Sequence, residues 1–103
     1  MFRRFLNGIA YTASRYLGPI YHFRETAVPG RFLYVQKVPG HREDTVTLAF
    51  QHNRLIRLEG ATKIMGATHR FHRLVQMPLR ADTQTLRIQV NDGLLMLTIQ
   101  RPA

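Results

Sequence analysis

Two periods divide this chain. Apolar residues first recur at steps of three and four, at Phe2, Phe5, Leu6, Ile9, Ala13, Tyr16, Leu17 and Ile20, the spacing of one helical face. Arg3, Arg4, Asn7, Ser14 and Arg15 fall largely elsewhere around that wheel, and Gly18-Pro19 supplies the stop. The pattern predicts a short amphipathic helical arm. Ala27-Val28-Pro29-Gly30 then breaks the chain, and beyond it the period becomes two. In residues 31–38 Phe32, Tyr34 and Val38 share one side while Leu33 and Val35 share the other. Residues 45–50 alternate Val46, Leu48 and Phe50 against Thr45, Thr47 and Ala49. Residues 54–59, 69–77, 85–90 and 94–100 repeat the theme, and 61–67 reads as a loop or a weak edge strand. Six or seven short strands at roughly ten-residue spacing predict an all-β, immunoglobulin-like antiparallel sandwich. The expected division is an arm over 1–26 and a sandwich over 27–103.

The turns of that sandwich are legible. Asn91-Asp92-Gly93 separates two alternating runs, and glycine there supplies the positive φ of a tight hairpin. Pro39-Gly40 marks a second structural turn. Leu94, Leu95, Met96 and Leu97 form a continuous apolar run, so both faces of that strand need cover. One face belongs in the core. The other, with Leu94 and Met96, is expected to dock a partner's peptide, or else the arm's own Ile9 or Leu17.

Charge changes the picture next. The 103 residues carry 15 Lys+Arg against 6 Asp+Glu, a net charge of +9. All but Lys37 and Lys63 of those cations are arginine, the better fork for phosphate and carboxylate. Such a surface suits acidic protein subunits, RNA or anionic lipid. Residues 1–24 contain four arginines and no acid, the composition of a mitochondrial targeting segment or of a basic docking arm. Mitochondrial placement is the first expectation and cytoplasmic the second. No apolar run approaches the roughly 18 residues that a spanning helix needs.

Catalytic chemistry finds little support. The absence of Cys removes thiolate ligands and nucleophiles together. His69 and His72 lie three apart on a strand, so they face opposite ways and make poor co-ligands. Ser14 is the only serine and belongs to the arm, and Glu43-Asp44 suits a turn better than an acid/base pair. No enzyme activity, metal, cofactor or small-molecule substrate is therefore expected.

Several stretches, in order, resemble one family. "VPGHRED" (38–44) is similar to a Pro-Gly-x-x-x-Glu-Asp link, "NRLIRLEG" (53–60) to an Asn-x-Leu-x-Ile-x-Gly strand, and "FHR" with "MP" (71–78) to a Phe-x-Arg … Leu-Pro strand end. "AD" (81–82) stands where a Val-Asp is usual, and "NDGLLMLTI" (91–99) is similar to an Asn-Gly-Val-Leu hairpin. From about Phe32 to Arg101 the chain thus resembles the α-crystallin domain of the small heat-shock proteins. That resemblance implies an α-crystallin-type sandwich, and it equates Arg73 with a strand arginine that pairs with acids across a subunit contact. It departs at Ile88, where Ala is usual, and at Gln100, where Pro is often found. The 60–70 segment is shorter than the linker that carries the family's exchanged strand. No Ile-x-Ile-type motif follows the last strand.

The departures and the charge favour a non-catalytic accessory subunit of a larger mitochondrial assembly, a respiratory complex or a ribosome. It would be gripped through Arg3, Arg4, Phe5, Ile9, Arg15, Leu17, Arg73, Leu94 and Met96. The alternative, which follows the family, is an ATP-independent holdase chaperone.

Overall fold

Side chains alternate across a strand, so a run in which every second residue is apolar can hide one face and wet the other. The computed structural model describes residues 18–102. They form β1 (Ile20–His22), β2 (Arg24–Glu25), β3 (Arg31–Lys37), β4 (Val46–Gln51), β5 (Leu55–Ile64), β6 (Ala67–Gln76), β7 (Asp82–Asn91) and β8 (Leu94–Gln100). Single 3-10 turns at Glu43–Thr45 and His52–Arg54 lead into β4 and β5. Two four-stranded sheets result, ordered β1-β6-β5-β4 and β2-β3-β8-β7. They meet over a core in which β8 supplies Leu95, Leu97 and Ile99, β7 Leu86 and Ile88, β5 Ile56 and Leu58, β4 Val46 and Leu48, and β3 Phe32 and Tyr34. Burying each Leu or Ile stabilises by about 1.5–3 kcal/mol. The sandwich expected from the alternation is the one that forms.

Two turns have the same hand. Asp92 (φ 50) and Gly93 (φ 74) join β7 to β8, and Met65 (φ 52) and Gly66 (φ 84) join β5 to β6. Positive φ at both central residues matches the twist of a two-residue hairpin. Gly93 is also held from outside: the Val38 N–H donates to its carbonyl at 2.7 Å, and a Cβ there would lie 3.3 Å from Pro39 Cα. Pro39-Gly40 turns the chain beneath the β5–β6 hairpin, where a Cβ on Gly40 would collide with the Ile64 side chain.

Two expectations need correction. Residues 20–25, expected in the arm with Ile20 on its helical face, form two short strands, Ile20–His22 in one sheet and Arg24–Glu25 in the other. Pro19 forbids helical continuation, and the alternation Tyr21, Phe23 against Ile20, His22 then aims two rings at the sandwich. Tyr21 meets Tyr34 edge-on at 6.3 Å between centroids, and Phe23 meets it tilted at 6.2 Å. The sandwich is not purely antiparallel either, because β1 runs parallel to β6. Of the two alternatives for 61–67, the strand is the one that forms: Ala61–Ile64 end β5, Met65-Gly66 turn, and Ala67 opens β6. β5 and β6 pair without interruption from Leu55↔Gln76 to Ile64↔Ala67, so this hairpin takes up the segment that is shorter than the family's linker. The proposed helix falls almost wholly on residues 1–17, outside the described residues.

Candidate functional site

The outer face of the second sheet comes directly from the β8 alternation. Leu95, Leu97 and Ile99 are wholly buried, which leaves Leu94, Met96 and Thr98 half-buried on the opposite side. Register places Val35 beside Met96, Leu33 beside Thr98 and Lys37 beside Leu94. Val35 is 46% exposed. The expected placement of Leu94 with Met96 on one surface is therefore present, as an apolar strip on the outer sheet face among the described residues. Cations edge it: Lys37 stands at one end and Arg87, opposite Thr98, at the other.

A second surface lies on the first sheet, around β6. Arg70 pairs with Ala61 and His72 with Glu59 on the outer face, while Phe71 pairs with Gly60 and Arg73 with Leu58 on the inner one. Arg70 and Arg73 thus point to opposite sides, as strand parity requires. The half-buried Arg73 lies with its guanidinium 4.6 Å from the centroid of Tyr21, a cation–π contact of about 0.5–1 kcal/mol at partly exposed sites. This contact joins β1 to β6 within the chain. Nothing in the residue's own sequence neighbourhood signals it, because Tyr21 is remote. On the outer face Glu59 sits 3.6 Å from Arg57 and 3.8 Å from His72.

Between this hairpin and the Pro39-Gly40 turn lies a histidine whose packing no local sequence signal announces. His41 is buried; its ring meets Phe71 edge-on at 5.0 Å. Its Nδ1 lies 2.8 Å from Thr45 Oγ1. Thr45 spends its hydroxyl proton on the Arg42 carbonyl, so His41 donates from Nδ1. Burial, and then the charge of His69, push its pKa below the ordinary 6.5. Gly60 makes room for this packing, since a Cβ there would strike the Phe71 ring. The arrangement is a joint between turn and hairpin. Among the described residues no group of three or more His, Asp or Glu is placed to hold a metal, and no helix is long and apolar enough to cross a membrane.

The structure therefore sorts the sequence-derived residues into three sets. Leu94 and Met96 share the outer strip; Arg73 lies on the other sheet, stacked on Tyr21. Arg3, Arg4, Phe5, Ile9, Arg15 and Leu17 lie outside the described residues. Of the expected turn residues, Asn91, Asp92 and Gly93 form the end of β7 and the β7–β8 turn, with Gly93 against Val38 and Pro39, while Gly40 packs under Ile64.

No family model matches the sequence, and no curated protein matches it significantly. Solved structures do. Stress-induced protein 1 from Caenorhabditis elegans is 15% identical, with a TM-score of 0.63 over 79% of this chain and 86% of that one. A small heat-shock protein from Xylella fastidiosa is 19% identical, with a TM-score of 0.62 over 79% and 84%. The rat alpha crystallin domain is 14% identical, with a TM-score of 0.60 over 78% and 88%. The two sheets, their strand order and these neighbours agree: the chain has the α-crystallin fold of the small heat-shock proteins.

Proposed function

We propose that this chain is a non-catalytic binding module of the small heat-shock type, an ATP-independent holdase that covers apolar segments of unfolding proteins. The observation that carries this reading is the outer strip of the second sheet, where Val35 stands 46% exposed beside Met96 on a fold whose solved neighbours include small heat-shock proteins. An exposed apolar strip edged by polar and charged residues is a surface for apolar cargo. The test is light scattering by a thermally unfolding client mixed with the full chain and no nucleotide. The expected result is marked suppression near equimolar ratio, lost in the Val35→Glu, Met96→Glu double variant with its urea midpoint nearly unchanged. Full aggregation at tenfold excess of the unaltered chain would refute the holdase.

A second reading rests on a different observation, the charge of +9 and the acid-free, four-arginine start. These support a fixed structural subunit of a mitochondrial assembly, held by other protein subunits, RNA or anionic lipid. Stoichiometric co-sedimentation with a large particle from mitochondria, abolished on deleting residues 1–24, is its expected outcome. Recovery only as a free oligomer would dismiss it.

A further inference from the structure

We infer that the open edge of β6, residues 67–73, takes an extended acidic segment of another protein as an added strand. The inference is independent of the holdase reading, which places apolar cargo on the other sheet.

Topology comes first. β6 runs from Ala67 to Gln76, but β1 covers its outer edge only at Leu74, Val75 and Gln76. Among the described residues no strand lies beside Ala67–Arg73 on that side. Alternate residues there present amide N–H and carbonyl groups away from β5, a template for another backbone. The chain's own lead-in does not extend along it in register. Continuing the pairing of Ile20 with Leu74 would set Pro19 opposite Arg73, and proline has no N–H to give. Gly18 and Pro19 accordingly lie outside β1.

Charge then selects the occupant. The edge carries His69, Arg70, His72 and Arg73, with Lys63 opposite Thr68 on the neighbouring strand. Glu59 is the sole carboxylate on that face among the described residues, and it lies beside Arg57 and His72. Arg70 stands opposite Ala61, with no carboxylate in ion-pair range among the described residues. An antiparallel second copy centred on Arg70 would oppose that arginine to itself. Centred on Phe71, it would set Arg70 against His72 and His69 against Arg73. Like charges directly opposite one another destabilise a pair, and two chains of +9 repel besides. An acidic strand reverses each of these terms. Carboxylates at alternate positions would reach Arg70 and His72 on the outer face, while the intervening side chains would lie beside the half-buried Phe71 on the inner one. A nucleic acid could meet the arginines but has no peptide groups to match the edge.

The probe is a fluorescein-labelled peptide alternating Glu with Val and Ile, titrated into the full chain and followed by anisotropy. Saturable binding is expected. It should weaken at least tenfold in Arg70→Glu and less in Arg70→Gln, with both variants keeping the parent's far-ultraviolet circular dichroism. The amides of residues 68–73 that point away from β5 should gain hydrogen-exchange protection on binding. N-methylation of the peptide at alternate residues should abolish the complex. Equal binding of the N-methylated peptide, or of a peptide with Lys for Glu, would overturn the inference. So would a uridine oligonucleotide that binds more tightly than the acidic peptide. Protection, in the chain alone, of those amides of 68–73 that point away from β5 would overturn it as well, assigning the edge to a second copy if the protein sediments as a dimer and to residues 1–17 if it sediments as a monomer.

Discussion

The β5–β6 and β7–β8 hairpins share a turn geometry and differ in everything around it. At the β7–β8 turn Gly93 rests against Pro39, and its carbonyl accepts the Val38 N–H; the strands it joins bury Leu86, Ile88, Leu95, Leu97 and Ile99. At the β5–β6 turn a Cβ on Gly66 would meet nothing within 4 Å, and Met65 is 98% exposed. Along β5–β6 burial is deep at Ile56, Leu58 and Val75 but gives way toward the tip, where Ile64 over Gly40 is among the last apolar contacts. One hairpin is welded into the core. The other is anchored at its base and projects at its tip.

The largest expected effect of breaking that contrast lies in the welded hairpin. Leu97→Ala removes a wholly buried side chain and should cost about 2–5 kcal/mol by urea denaturation. Ile64→Ala, at the half-buried tip, should cost about 1 kcal/mol, since less is removed from a packed interior. Equal losses would erase the distinction.

The turns sharpen it further. Both glycines have positive φ, so Ala strains each, at about 1 kcal/mol for the backbone alone. Gly93→Ala also crowds Pro39 and should cost about 2 kcal/mol in all; Gly66→Ala should cost only the backbone share. The difference between the two urea midpoints measures the outside contact.

The smallest effect concerns the joint where the projecting hairpin meets the rest. His41 is held neutral there by burial and by His69, with its pKa below the ordinary 6.5. The unfolded chain therefore binds a proton more readily than the folded one. Stability contributed by this site is fully present above 6.5 and declines as pH falls from there through the lower folded value. His41→Gln, which retains a donor toward Thr45, should flatten the part of the stability profile in that window. A slope unchanged by the substitution would assign it to another histidine.

What could be read from the sequence follows the same division. Strands whose alternation was paid out in buried Leu, Ile and Val were legible, as was the Asp92-Gly93 turn, because each carries its own signal. Thr62, Lys63 and Thr68 gave the projecting half of β5–β6 no clear apolar alternation, and Met65-Gly66 lacks the Asn or Asp that usually announces such a turn. β1 and β2 were hidden for another reason. Two- and three-residue strands exist through their partners, here Tyr34 for Tyr21 and Phe23 and Arg73 for Tyr21, and those contacts span long sequence separations. The outer placement of Leu94 and Met96 followed from parity alone. The role of Arg73 within the chain required knowing where Tyr21 comes to rest.

A single residue, Phe23, separates β1 in one sheet from β2 in the other. The backbone between Ile20 and Glu25 therefore works as a stitch across one flank of the sandwich, with three paired residues on one side and two on the other. So short a seam is where local opening starts, well below the free energy of global unfolding. When it parts, the aromatic ring of Tyr34 loses the edge contacts of Tyr21 and Phe23 while the six remaining strands keep their places.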